Sequence, residues 1–285
     1  MLRTIKLIIY FYLYQVLFTA LVTLPAVWER LMNNGGTLDA FDEVGITTNA
    51  AALGLILSGI AMIWHLIHFK YVKFSLKSFG EIPVKTILLS IPFIFAGMVF
   101  INLCSEFTNL ADNLEDTFRN MSRNVFGIFS MTVMAALVEE LLFRGAIQGH
   151  LLRKGMKPLH AILISSAIFG AIHMNPIQVA FAFAIGLIFG WLYYRTGSLV
   201  PGIIGHFLNN SIACVQMATM TKEEFNTTTI EWLGEGPTYA VLAVSGIVMV
   251  GMFLYLKKHL PAAPSYTQCH PEQSEGSENI NIVKE

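Results

Sequence analysis

The chain has 285 residues, of which 54% are hydrophobic and 13% charged, with a net charge of −1. A charged fraction about half that of a soluble domain and a mean hydropathy of +0.59 exclude a disordered chain, a coiled coil and a disulfide-rich scaffold, and weigh against a soluble enzyme. The neutral balance gives no basic field to grip nucleic acid. The three scattered cysteines, Cys104, Cys214 and Cys269, suggest neither a disulfide framework nor a thiolate metal site.

Eight apolar blocks follow in order, each near the length of about 20 residues that crosses a bilayer. They are Thr4–Trp28, Ile46–Phe69, Thr86–Cys104, Val125–Arg144, Leu159–Asn175, Ile177–Tyr194, Leu199–Ala218 and Tyr239–Leu256. None alternates with period two, and lipid admits only helices or closed barrels. The expected fold is therefore all-α, a polytopic transmembrane helix bundle of about eight spans. The first block follows Arg3 and Lys6 but is longer than a signal-peptide core and lacks a small-residue cleavage site, so it reads as a span.

The basic residues orient the bundle. With the N-terminus inside, the inner segments hold Arg3, Lys6, Lys70, Lys73, Lys77, Lys85, Arg144, Arg153, Lys154, Lys157, Arg195, Lys257, Lys258 and Lys284. The outer segments hold Arg30, Arg119, Arg123 and Lys222. This asymmetry follows the positive-inside rule and places both termini in the cytoplasm of a cell whose plasma membrane, bacterial by expectation, holds the protein. Between blocks three and four, Phe107–Asn124 carries Leu110, Leu114 and Phe118 at a spacing of four, which predicts a short amphipathic helix at the outer surface. From Pro261 the chain is polar and rich in Ser, Glu and Pro, as in a disordered cytoplasmic tail.

Ionisable groups inside spans are costly and usually functional, and here they concentrate between Glu139 and Asn210. Block four carries Glu139, Glu140 and Arg144. Glu140 and Arg144 stand four apart with the Glu first, the favoured order for a pair on one helix face. Glu139 sits about 100° around the helix, lacks that partner, and is free to face a cavity as a general base. Block five carries Phe169 and His173 one turn apart. Block seven carries His206 and Asn210 on one face, with Asn209 beside them and Gly202 and Gly205 allowing close packing. A charge cluster at a helix end and an interhelical hydrogen bond are the plainer readings of blocks four and seven. His65 and His68 in block two read as interfacial residues rather than a metal pair.

A Glu, two His and an Asn can activate a water and stabilise an oxyanion. They could also form a Glu/His/His metal sphere. There is no H-E-x-x-H, no G-x-S-x-G and no Ser or Cys paired with a base, which favours direct attack by water.

The motifs E-E-x-x-x-R (Glu139, Glu140, Arg144), F-x-x-x-H (Phe169, His173) and H-x-x-x-N (His206, Asn210) resemble, in type and order, those of the CAAX-processing and bacteriocin-processing (CPBP, or Abi) family of intramembrane proteases, which includes the type II CAAX prenyl endopeptidase. The resemblance covers about Val125–Ala218. It implies a membrane endopeptidase in which Glu139 and His173 activate water, His206 and Asn210 stabilise the oxyanion, and Glu140, Arg144 and Phe169 support the site. That family is classed with metalloproteases, so zinc enters as a candidate cofactor with Glu139, His173 and His206 as ligands, although the same residues can act without metal. The implied organisation is N-terminal helices over 1–124, a catalytic core over 125–218, a last span within 219–260 and the tail over 261–285. The implied partners are the bilayer and a membrane-associated protein or peptide substrate, prenylated CAAX proteins and bacterial peptides both being candidates. A non-catalytic immunity or scaffold protein retaining the motif and a proton-coupled transporter are the competing functions, and the absence of an internal repeat argues against the latter.

Counted from the inner ends at 1.5 Å per residue, His206 lies about 10 Å deep, Glu139 about 8 Å and His173 about 21 Å. These groups must converge. Either block five ends early at Asn175-Pro176 or the helices tilt strongly, with a water-filled cavity open to the cytoplasm reaching the site.

Overall fold

The computed structural model describes residues 2–33, 44–72, 82–108, 110–260, 263–264 and 266. These residues form eleven helices and, among the described residues, no strand. Helix α1 is Leu2–Asn33, α2 Val44–His68 and α3 Val84–Glu106; the short α4, Glu115–Met121, follows. Helix α5 runs unbroken over Val125–Arg153. Helices α6 (Pro158–Ala171), α7 (Pro176–Thr196) and α8 (Val200–Thr219) come next, then the short α9 (Lys222–Asn226) and α10 (Thr229–Leu233), and finally α11 (Glu235–His259).

Among the described residues six helices, α1, α2, α3, α5, α7 and α11, are long and apolar enough to cross a membrane. The expected blocks five and seven are helical but fall outside that set. Helix α6 has only 14 residues, about 21 Å of rise, short of a hydrocarbon core. Helix α8 is long enough at 20 residues but carries the buried His206 and the half-buried Asn209 and Asn210, which lower its hydropathy. Helices α1 and α11 are the least buried spans. Ile9, Leu13, Val16 and Leu17 of α1, and Val244, Ile247 and Leu254 of α11, are exposed, as lipid-facing apolar residues are.

Helix α5 holds the centre, and two stretches of it, Ser130–Met134 and Glu140–Gln148, are π-helical, a widening common at functional positions. All nine residues of the second stretch are buried. Glu140, Arg144 and Gln148 form a polar row along it. Arg144 Nη2 donates to the Gly186 carbonyl at 3.2 Å and Gln148 Nε2 to the Gly190 carbonyl at 2.7 Å. A Cβ at Gly190 would stand 2.8 Å from Gln148 Oε1, so a larger residue there would displace the buried Gln148 side chain. Small residues thus let α7 approach α5 closely enough for its backbone to satisfy buried polar side chains. On the other side Ser165 Oγ of α6 donates to the Phe143 carbonyl at 2.9 Å.

Three expectations are corrected here. Arg144, counted from sequence among the inner-rim residues, is 1% exposed in the bundle interior, because its helix continues for nine residues to Arg153. The helix between α3 and α5 is shorter than Phe107–Asn124, and it buries Glu115, Arg119 and Met121 while Leu110 is exposed. Its docking is polar: Arg119 Nη1 donates to the Met217 and Met220 carbonyls at 3.0 and 2.7 Å, and Nη2 to Glu115 Oε1 at 3.2 Å. Finally, the start of the tail is tied down. Tyr266 donates its hydroxyl to the Tyr193 and Tyr194 carbonyls at 2.9 and 3.1 Å, and desolvation raises its pKa. The remainder of the expected disordered tail lies outside the described residues.

Candidate active site

The long α5 brings Glu139 to the depth expected for His173, and His206 joins them because α8 starts inside the bundle, with Ser198, Leu199, Pro201 and Gly202 buried. Glu139 stands fourteen residues from Arg153, about 21 Å, level with the depth expected for His173. Helix α6 also ends early, at Ala171. The chain then turns through Met174, whose φ is +51°, and α7 starts at Pro176, where a fixed φ and a missing N–H suit a first helical turn. Tyr12 of α1 donates its hydroxyl to the Ile172 carbonyl at 2.6 Å. Asn175, fully buried, donates to Asp112 Oδ1 at 2.8 Å and accepts from the Asn113 amide at 3.1 Å. The segment bearing His173 is thereby anchored from both sides.

Glu139, Phe169, His173, His206 and Asn210 all line one cavity of about 740 Å³. Its other walls are largely apolar, with Phe11 from α1, Leu55 from α2, Met98 from α3, Met134 and Val138 from α5, and Phe181 from α7. Glu140 and Arg144 lie behind this wall, 0% and 1% exposed.

The two adjacent glutamates are held differently, as their angular separation predicts. Arg144 Nη1 donates to Glu140 Oε1 at 2.7 Å. The guanidinium lies 4.4 Å from the Phe169 ring centroid, over its face, a favourable place for a desolvated cation. His206 Nδ1 faces the same Glu140 Oε1 at 3.3 Å, which turns its Nε2 to the cavity, 3.7 Å from Glu139 Oε2. Phe169 and Phe189 bracket the imidazole at centroid distances of 5.8 and 5.9 Å. Glu139 Oε2 is buried and has no hydrogen-bond partner. Glu140 is thus held through Oε1 by Arg144 and His206 behind the wall, its Oε2 also lacking a hydrogen-bond partner, whereas Glu139 is presented to the cavity.

His173 Nδ1 donates to the Phe169 carbonyl at 2.8 Å. That bond fixes the tautomer and leaves Nε2 as the free nitrogen. Asn210 Nδ2 donates to the Met131 carbonyl at 2.8 Å, across to the first π-helical stretch of α5, and Asn209 Nδ2 donates to Asn210 Oδ1 at 3.1 Å. One Asn210 N–H remains for a ligand.

Among the described residues, no three His, Cys, Asp or Glu side chains are grouped as a shared metal ion requires. The set proposed for zinc, Glu139, His173 and His206, lines a common cavity without forming a ligand sphere, so these residues as placed do not fit the metal. His65 and His68 are equally remote from such use. His65 is buried against the Tyr14 hydroxyl at 2.9 Å, and His68 stacks on Trp64 at 4.7 Å.

Sequence reasoning omitted Asn175 and Tyr12, which hold the His173 turn. Asn175 follows Met174 directly before a proline, a local turn signal, but its partner Asp112 is 63 residues away, and nothing in the apolar run of α1 distinguishes Tyr12. The cavity also departs from expectation in direction. Its lining continues through Asn102, Ser105, Asp112, Phe118 and Gln216, at the end of the bundle opposite Arg153 and Lys257. Towards that basic end it stops at buried Phe143, Arg144 and Gln148.

Residues 121–212 match the family described as Rce1-like, type II CAAX prenyl endopeptidase Rce1-like. The resemblance carried by the three motifs holds over that segment. Two curated proteins of Bacillus subtilis (strain 168) are similar. "Uncharacterized protein YpbD" is 28% identical over 99 residues, 33% of this chain and 48% of that protein. "Putative membrane peptidase YdiL" is 32% identical over 88 residues, 31% of this chain and 36% of that protein. The matched stretch thus spans about half the length of the first relative and about a third of the second. No solved structure matches. The apolar helices and these relatives together make the chain an integral membrane protein.

Proposed function

We propose that the protein is an intramembrane endopeptidase that hydrolyses a peptide bond of a membrane-associated substrate, in processing of the CAAX or bacteriocin-peptide type, by direct attack of water. The observation that carries this reading is the buried, unpartnered Glu139 Oε2 facing His206 Nε2 at 3.7 Å in an apolar cavity. That separation is too long for a direct hydrogen bond and leaves room at Glu139 for the attacking water, with His206 on the side where the oxyanion forms. A lone carboxylate in such surroundings is costly unless it is used.

In the proposed reaction Glu139, with His173 Nε2 as second acceptor, takes a proton from water while the hydroxide oxygen bonds to the carbonyl carbon. His206 Nε2 and the remaining Asn210 N–H face the developing oxyanion. The proton held by Glu139 passes to the leaving amine as the C–N bond breaks, giving a carboxylic acid and an amine, and the acid's remaining proton then moves to the amine to leave carboxylate and ammonium. Glu140 and Arg144 keep His206 oriented and do not touch substrate. No step is routed through a metal. The match to the Rce1-like family and the relative named as a membrane peptidase support the reaction class.

The test uses purified protein in detergent with a library of membrane peptides read by mass spectrometry. Discrete cleavage products that vanish with Glu139→Gln support the reading. Intact peptides throughout, accompanied by tight binding or by proton flux in proteoliposomes, would replace it with the scaffold or transporter reading.

A further inference from the structure

The two ends of the bundle differ sharply in charge. At one end stand Arg3, Lys6, Lys70, Lys85, Arg153, Lys154, Lys157, Arg195, Lys257 and Lys258, and no acidic residue among the described residues accompanies them. Contacts join these segments: the Arg3 guanidinium lies over the Tyr71 ring at 4.4 Å, and Arg195 donates to the Leu260 carbonyl at 2.9 Å. At the other end Glu106, Asp112, Glu115, Asp116, Glu223, Glu224 and Glu231 outnumber Arg119, Arg123 and Lys222. That end is also one connected surface. Thr229 bonds Glu106 through its amide and hydroxyl, both at 2.7 Å. Lys222 Nζ donates to Asp116 at 2.8 Å, and Asn226 donates to Glu115 at 3.1 Å.

The cavity that holds Glu139 reaches the acidic end. Asn102, Asp112 and Gln216 line it there and are exposed. In the opposite direction the fully buried Phe143, Arg144, Phe169 and Phe189 close it. Basic residues flanking spans stay on the cytoplasmic side, so the closed floor faces the cytoplasm and the mouth faces away from it.

We infer that the site is served from the extracytoplasmic face, and that its substrate is an apolar peptide segment, anchored in the outer leaflet, with basic residues flanking the part that enters. The substrate half of this inference rests on the peptidase reading above; the orientation half does not. The apolar walls, Met98, Val138 and Phe181 among them, suit the segment, and the acidic rim suits a cationic flank.

Two measurements test it. In the full-length protein with Cys104, Cys214 and Cys269 replaced by alanine, single cysteines are placed at Glu223 on the acidic rim and at Lys154 on the basic rim, both exposed. A membrane-impermeant maleimide added to intact cells is expected to label Glu223→Cys, and to label Lys154→Cys only after detergent is added. Labelling of Lys154→Cys in sealed cells overturns the orientation. Separately, an anchored apolar reporter peptide with a basic flank is presented on one side or the other of sealed vesicles of known sidedness. Cleavage is expected only from the extracytoplasmic side, severalfold slower when the flank is made acidic. Cleavage confined to the cytoplasmic side, or no preference for the basic flank, overturns the substrate assignment while leaving the peptidase reading intact. Failure to cleave the reporter in detergent while the membrane-peptide library is still cleaved overturns the substrate assignment, failure on the library as well removes the peptidase reading, and the labelling result decides the orientation in either case.

Discussion

Arg144 and Glu140 form an ion pair across one turn of the widened α5, 2.7 Å apart and almost sealed from solvent. A buried pair of this kind is poor evidence of stability in itself, but losing one partner leaves an uncompensated charge. Arg144→Met is expected to destabilise the protein by about 3–5 kcal/mol, seen as a lower Tm in detergent. Glu140→Gln combined with Arg144→Met should recover much of that loss, since no buried charge is then orphaned. Equal damage from the single and double variants would mean that the arginine acts through packing on Phe169 alone.

The close approach of α7 to α5 depends on Gly190. A Cβ there would stand 2.8 Å from Gln148 Oε1, whereas a Cβ at Gly251 on the lipid side meets nothing within 4 Å. Gly190→Ala should cost about 1–3 kcal/mol by overpacking, and Gly251→Ala, in open space within a helix, should not lower the Tm. Identical thermal shifts for both would contradict the packing described for the two helices.

At the acidic end two capping boxes begin α9 and α10. Hydrogen bonds from the backbone and hydroxyl of Thr221 hold Glu224 below the ordinary Glu value of 4.5, and those of Thr228 do the same for Glu231. A lowered carboxylate pKa contributes stability that is present above the ordinary value and disappears as pH falls through the depressed one. Amide exchange at Thr221 and Thr228, followed by mass spectrometry, should therefore show unchanged relative protection from neutral pH down to about 4.5 and a loss below it. Loss of protection well above that pH would show that the boxes are not formed.

Metal dependence is open to a direct check. Because Glu139, His173 and His206 share a cavity without forming a ligand sphere, peptidase activity is expected to persist after exhaustive chelation and dialysis, with no gain on zinc add-back. Activity lost with chelator and restored by stoichiometric zinc would mean that the three side chains regroup around an ion.

Much of the site was legible because it is written in local spacing. The Glu140–Arg144 pair needs only a helix, and the separation of Glu139 from it follows from the angle between neighbouring helical residues. His206 and Asn210 share a face for the same reason. The apolar blocks became helices because lipid leaves the backbone no other choice. What remained hidden depends on distant partners. The π-helical widening over Glu140–Gln148 accompanies contacts with Gly186, Gly190 and Ser165, and no local pattern announces it. The continuation of α5 to Arg153 escaped notice because the run after Arg144 turns polar, although Gln148 is buried against a carbonyl of α7. The direction of the cavity depends on where Asp112 and Phe118 fold back, which the linkage of Asn175 to Asp112 fixes from 63 residues away.

In the proposed mechanism Glu139 activates the attacking water while Glu140 only positions His206. The most direct measurement is the kcat of purified wild type and Glu139→Gln on one cleaved membrane peptide, with the Tm of each recorded. Glu139→Gln is expected to lower kcat by about 10²–10⁴-fold, the range for loss of a general base, with an unchanged Tm. Glu139→Gln that cleaves at the wild-type rate, or that loses activity only because it unfolds, would contradict that mechanism.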